Sequence, residues 1–318
     1  MRPVRIISAV LISLLFVVPA HAGDVKATVR GKTLTLKGDG QGAELTLMGG
    51  GSPDSVFVAP SGGTTVNGSS FTLMFFNISN VSMSFGGNGG ADVVCDNLEL
   101  DGSISFKGGS GSQQLAITGS QIGGNVGVNG SSGIFDFTCT ESEIGGKLAL
   151  KTGTGPDFAR ISCTVTGSVS ANLGDGANTL QVTGGAGTIS VGSLALKTGR
   201  GDDDLTLESV GVEAAAKVDL GGGNNHAQLS ALSIFGNLAF TGKGDDDTVS
   251  GDTLGLTGNV SFSLGSGANT LSLLNSVLFH DLSISAGSGD DQVVLGPGLT
   301  IDGKKKIHLG GGSNQLEE

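Results

Sequence analysis

A Gly-x-Gly-like turn recurs along most of this chain, its first glycine falling at Gly87, Gly109, Gly130, Gly153, Gly174, Gly199, Gly221, Gly242, Gly265, Gly287 and Gly310. The intervals are nearly even, at about 22 residues each. Helix-pair repeats and propeller blades need roughly 33 to 50 residues per unit, so this period is too short for them. It fits one coil of a parallel β-solenoid, in which stacked coils about 4.8 Å apart share a core and satisfy one another's backbone hydrogen bonds.

The residues around each turn support the same reading. Alternating stretches such as Leu194-Ala195-Leu196-Lys197 and Val260-Ser261-Phe262-Ser263-Leu264 precede it, and alternation marks a strand with one buried face. After the turn, Leu180 and Val182, Leu205 and Leu207, Leu271 and Leu273, and Val293 and Leu295 are expected to point inward. The positions between the inward pairs, Arg160, Gln181, Thr206, Gln228, Val249, Ser272 and Val294, are expected outside, and they form no threonine file of the kind an ice-binding face needs. The predicted fold is all-β: a single-stranded right-handed parallel β-helix (solenoid) with coils of about 22 residues, the hand being that of known solenoids.

Three segments are expected. Residues 1–22 read as an export signal, with Arg2 and Arg5 ahead of the apolar run Ile6 to Val18 and a small-x-small cleavage site at Ala20-His21-Ala22. Residues 23–80 read as an N-terminal cap with the first irregular coils, and 81–318 as regular solenoid repeats. Glu317 and Glu318 follow the last turn and would discourage end-to-end stacking by charge. The expected destination is secreted, periplasmic or cell-surface, with no membrane span after signal cleavage.

Composition narrows the function classes. Glycine makes up 58 of 318 residues, yet with 6 prolines and no three-residue period the chain is not collagen-like. A 37% apolar and 14% charged content argues against disorder. The net charge of -12 and the absence of a basic cluster argue against nucleic acid and anionic membrane as partners, leaving an extracellular or cell-surface ligand of unknown identity. With no Trp or Tyr the usual sugar-stacking platform is missing, and Phe158 is the one aromatic placed outward. His226, His280 and His308 fall on non-adjacent coils without a Ser or Cys partner, so neither a triad nor a zinc site is expected. The three cysteines alternate with apolar residues. Cys139 and Cys163, one coil apart, are expected as stacked buried thiols in preference to a cross-coil disulfide, and Cys95 as core.

The last eight turns read GTGPD, GDGAN, GRGDD, GGGNN, GKGDD, GSGAN, GSGDD and GGGSN, so Asp and Asn alternate at the fifth position: Asp157, Asn178, Asp203, Asn225, Asp246, Asn269, Asp291, Asn314. The true unit is thus a pair of coils, as the two LALKTG segments from Leu148 and Leu194 also suggest. Two readings are open. Carboxylates on alternate coils, with Asn and backbone carbonyls between, make an all-oxygen row suited to a hard cation such as calcium, with Asp202, Asp203, Asp245, Asp246, Asp290 and Asp291 as ligands. Alternatively the row is turn chemistry, in which a neutral Asn keeps like charges off neighbouring coils and Arg200 and Lys243 neutralise two of the acidic turns.

These Gly-x-Gly-x-Asp turns resemble the Gly/Asp-rich β-solenoid repeats of secreted bacterial proteins, the calcium-binding RTX family among them. That resemblance implies calcium held between coils. The RTX pattern has a nine-residue repeat with two such turns per coil, whereas here a single turn marks each longer coil and alternate turns carry Asn. The chain is therefore expected to be a non-enzymatic structural, adhesive or surface-binding module, stiffened by calcium on the first reading. The alternative is a polysaccharide lyase or glycosidase built on a β-helix.

Overall fold

The computed structural model describes residues 23–51, 54–184 and 187–318; residues 1–22, read above as an export signal, lie outside the described residues. The chain winds as an all-β parallel solenoid of about eleven turns, without helices among the described residues. Each regular coil carries three strands. A first-face strand follows the glycine turn, as in Asp204–Glu208; a short second-face strand comes next, as in Val210–Val212; a third-face strand leads into the next glycine turn, as in Ala216–Asp219. Coils stack in parallel register, with Leu205 paired to Ala227, Val212 to Ile234, and Val218 to Phe240.

Residues with the expected inward alternation fill one continuous core that runs the length of the described coils. Leu180, Val182, Leu205, Leu207, Leu271 and Leu273 are all buried. Aromatic side chains stack along the axis inside it, Phe85 on Phe106 at 5.7 Å and Phe106 on Phe135 at 5.6 Å between ring centres. Cys95, Ile117 and Cys139 occupy one inward file. Cys139 and Cys163 do not stack as free thiols; they form a disulfide across a Cα separation of 5.8 Å. The reason is local: the coil after Glu141 omits one corner residue, so the register shifts between Thr140 and Glu143 and brings Cys163 toward Cys139.

At the N-terminal end the winding begins with two hairpins. Asp24–Arg30 pairs antiparallel with Thr33–Gly38, and Val56–Pro60 pairs antiparallel with Ala43–Gly49. The inner strand of each hairpin already stacks in register on the first regular coil, through Leu34 on Val81 and Leu45 on Val93. The antiparallel outer strands cover backbone that a further parallel coil would otherwise pair with.

The corner between first and second faces is made by one residue in the left-handed region, at Asn97, Gly119, Glu141, Ser209, Ala231, Thr253, Asn275 and Gly298 in successive regular coils apart from the two between Glu141 and Ser209. Its residue type varies because the turn needs only a φ near +50°, and only glycine takes that without a β-carbon clash. Thr253, β-branched and exposed at φ 57°, is the most strained of these. Thr253→Gly is expected to stabilise the protein by about 0.5–1 kcal/mol, since relief of roughly 1–2 kcal/mol of left-handed strain outweighs the entropy glycine adds to the unfolded chain. A thermal midpoint at or below that of the parent would reject this.

Candidate functional site

The glycine turn is where the chain concentrates its polar chemistry. Gly174, Gly176, Gly265 and Gly267 have φ between 73° and 117°, and a β-carbon at Gly176 or Gly267 would strike the backbone of the preceding turn. The turns therefore stack backbone on backbone, which leaves the Asp and Asn side chains beside them to join one coil to the next.

Stacking corrects one register assignment. Gly265 sits over Lys243, so the equivalent of Gly265 is Lys243 and the buried rung of that coil is Asp247, one residue beyond Asp246. The same shift places Val249 in the core and Ser250 in the outward file between Gln228 and Ser272. The extra Asp in GKGDDD allows two readings of the sequence; packing selects the one that buries Val249.

The buried row thus runs Asp157, Asn178, Asp203, Asn225, Asp247, Asn269 and Asp291, each at most 3% exposed, and ends at Asn314. Every side chain in it reaches back toward the preceding coil. The amide N–H of Asn178 donates to Asp203 Oδ1 at 2.9 Å, that of Asp203 to Asn225 Oδ1 at 3.0 Å, and that of Asn225 to Asp247 Oδ1 at 3.1 Å. The Asn Nδ2 groups donate to the same carboxyl oxygens, Asn225 to Asp247 at 2.8 Å and Asn269 to Asp291 at 2.9 Å, and to their own turn carbonyls at Gly223 and Gly267.

A second, exposed row one residue earlier reaches the opposite way. Asp202 Oδ1 accepts the amide of Asn224 at 2.8 Å, Asn224 Oδ1 that of Asp246 at 3.0 Å, Asp246 Oδ1 that of Ala268 at 2.7 Å, and Asp290 Oδ1 that of Ser313 at 2.7 Å. Asp245, also exposed, accepts the amide of Gly223 at 3.0 Å. Of the six residues read as calcium ligands, Asp203 and Asp291 therefore stand in the buried row, while Asp202, Asp245, Asp246 and Asp290 stand outside it. In each of the six, one carboxyl oxygen already holds a backbone amide.

Alternation of Asp and Asn is matched five residues earlier. Thr152, Thr198, Gly242 and Ala286 accompany the Asp rungs; Leu173, Leu220, Leu264 and Leu309 accompany the Asn rungs. The small residues leave room for the second carboxyl oxygen, and a β-carbon on Gly242 would overlap Asp247 Oδ2. That oxygen is buried without a hydrogen-bond partner in Asp157, Asp203, Asp247 and Asp291. Beside Asp157 and Asp203 stand Thr152 and Thr198, but both hydroxyls donate at 2.6 Å to the carbonyls of Leu173 and Leu220. Each hydroxyl oxygen is thus left as an acceptor, which suits a protonated carboxyl. Burial raises the Asp157 and Asp203 carboxyls above the usual carboxylate range, and it raises Asp247 to about 6, with Asp245 and Asp246 adding to the shift.

Two surface grooves accompany these rows. One, of about 580 Å³, runs along the turn edge between Asn172, Lys197, Arg200 and Lys243. Lys243 there pairs with Asp219 of the preceding coil at 3.0 Å, while Asp175 accepts the Arg200 backbone amide at 2.9 Å. The other, of about 380 Å³, crosses the second face between Glu99, Asp101, Gln121 and Glu143. On the first face, Asp136 lies two coils from Asp92 in one outward file, and burial followed by the Asp92 charge raises its carboxyl. Among the described residues no group of three or more His, Cys, Asp or Glu side chains is gathered closely enough to hold a metal ion, and no helix is long and apolar enough to cross a membrane.

The cationic side chains show what the sequence concealed. Lys37, Lys107, Lys151 and Lys197 lie far apart in the chain but fall in one outward file of the third face, on every second coil, separated by Ser84, Asn129 and Asn172. The signal available was the repeated Leu-Ala-Leu-Lys segment, a period of two coils. Set against known proteins, the chain matches no family model, no curated protein and no solved structure.

Proposed function

We propose that the chain is a non-catalytic β-solenoid scaffold, a stiff exported rod that presents its faces for adhesion or surface binding. The observation that carries this reading is the double ladder at the glycine turns: the acidic side chains most suggestive of chemistry each spend a carboxyl oxygen on the backbone of an adjacent coil. Side chains committed in this way hold the rod together, and the sheet faces are left to meet a partner. A fractionation test follows. Cells producing the full chain are expected to yield it, shortened by about 22 residues, outside the cytoplasm; retention of the unprocessed chain in the cytoplasm would overturn export.

Calcium is the second reading, favoured by the exposed carboxyls of Asp202, Asp245, Asp246 and Asp290 along one edge. Each keeps lone pairs beyond the one given to an amide, and hard cations take such oxygens. Ligand that binds only the folded state raises the unfolding midpoint by mass action. Millimolar calcium is therefore expected to raise the midpoint over that in excess EDTA, with magnesium as control, and Asp246→Asn to reduce the rise. An identical midpoint in the three solutions would remove calcium from the account.

A further inference from the structure

We infer that the third face is a binding track for a linear, sparsely charged acidic polysaccharide, one bearing about one carboxylate per disaccharide, lying parallel to the rod axis. This rests on the scaffold reading and supplies its partner. The chain is strongly acidic overall, yet its positive charge is gathered on one side. Among the described third-face strands Asp219 is the only acidic residue, whereas the described first-face strands carry Asp92, Asp96, Asp136, Asp204, Glu208 and Asp252, with Arg160 their one Lys or Arg. Such segregation gives the rod a positive side on a negative body, which steers and orients an anionic polymer.

Spacing selects the polymer. Lys37, Lys107, Lys151 and Lys197 recur on every second coil, about 9.6 Å apart and together spanning about 29 Å. Duplex nucleic acid presents a charge about every 1.7 Å of axis, so this file would neutralise few of its phosphates while the other faces repelled the rest. Without Trp or Tyr the chain lacks the common stacking platforms for single-stranded bases and for sugar rings alike, so the file would hold a polymer by charge and hydroxyl contacts. A polymer with widely spaced carboxylates fits the file better.

What lies beside the lysines also suits a sugar chain. The neighbouring outward file holds Ser82, Ser105, Gly127, Ala149, Ser170 and Ala195, small side chains that leave the pleated surface flat and offer hydroxyls. At the end of the file, Lys197 joins Arg200 and the Asp219-paired Lys243 in the 580 Å³ groove, which Asp175 also lines. No ion pair engages Lys37, Lys107, Lys151 or Lys197 among the described residues.

The test uses the full chain and hyaluronan, with neutral dextran, dextran sulfate and a DNA duplex as comparison polymers, in low salt and again in molar salt. Binding to hyaluronan is expected, abolished by salt and weakened at least tenfold in the triple variant Lys107→Ser, Lys151→Ser, Lys197→Ser, whose exposed positions leave the core untouched. A variant of the acidic face, Asp204→Ser with Glu208→Ser, is expected to bind as well as the parent. Absence of hyaluronan binding, unchanged binding by the lysine variant, or preference for dextran sulfate or DNA would each overturn the track. Self-association that the lysine variant abolishes, without hyaluronan binding, would overturn it in favour of a second copy as partner. Chain length of the hyaluronan is followed in parallel: shortening would overturn the scaffold reading and leave the binding face intact, whereas failure to bind with intact polymer would sink the track alone.

Discussion

Asp247→Asn is expected to stabilise the folded protein by up to about 3 kcal/mol at pH 7 and by almost nothing at pH 4. The sign follows from the carboxyl. Asp247 is raised from 3.8 to about 6 in the fold, first by burial and further by Asp245 and Asp246, so between those values the folded state binds more protons than the unfolded one. Stability then rises as pH falls through 6 toward 4, opposite to ordinary acid denaturation. Asn matches the protonated acid in shape and charge, keeping an oxygen for the Asn225 amide and side chain, 3.1 and 2.8 Å away. The groups facing Asp247 from adjacent coils are the neutral Asn225 and Asn269; neither titrates, and the two hydrogen bonds from Asn225 offset only part of the upward shift that burial imposes. Thermal melts of parent and variant from pH 4 to 8 read the effect directly. A variant less stable at pH 7, or a gap between the two that is constant with pH, would show that the buried carboxyl is ionised and satisfied.

Leu207→Asp is expected to abolish folding, at a cost beyond about 5 kcal/mol. Leu207 is 1% exposed and stacks between Val182 and Leu229 in the inward file of the first face. A carboxylate there finds no cation, and it removes the apolar contact that both neighbouring coils need. Gln181→Asp, one file away on the same face and outward, should change the midpoint by less than about 0.5 kcal/mol. Circular dichroism melts of the two variants decide it; equal tolerance would reject the inward and outward assignments.

Much of this architecture is legible in the sequence because glycine is strongly favoured where turns stack. The even coil length follows from turn glycines such as Gly174 and Gly265, where positive φ and close backbone contacts disfavour other residues, and only the turn that places Lys243 and Asp245 under Gly265 and Gly267 breaks the pattern among the regular coils from Gly174 onward. Inward files follow from alternation. The second corner left no such mark: a single left-handed residue can be Asn, Glu, Ala or Thr at modest strain, so Asn97, Glu141, Ala231 and Thr253 carry no common signature. The register slip at Asp246 arose because three successive Asp residues satisfy the turn pattern twice, and only burial of Val249 separates the choices. The Cys139–Cys163 disulfide depended on a one-residue shift that even spacing hides. For the candidate sites, the Asp/Asn alternation was visible, but its division into a buried row reaching backward and an exposed row reaching forward was not. The lysine file escaped notice because its members are tens of residues apart in the chain.

The pairing of small residues with Asp and of leucine with Asn has a consequence for how such a rod can change length. Removing a single Asn coil would set two carboxyls on neighbouring rungs, removing a single Asp coil would set two Asn there, and a break between a small residue and its Asp would place a leucine where Asp Oδ2 needs room, as at Gly242. Removing two coils restores every contact. Duplication and deletion in this lineage should therefore proceed two coils at a time, and chains of its descent should differ by even numbers of coils.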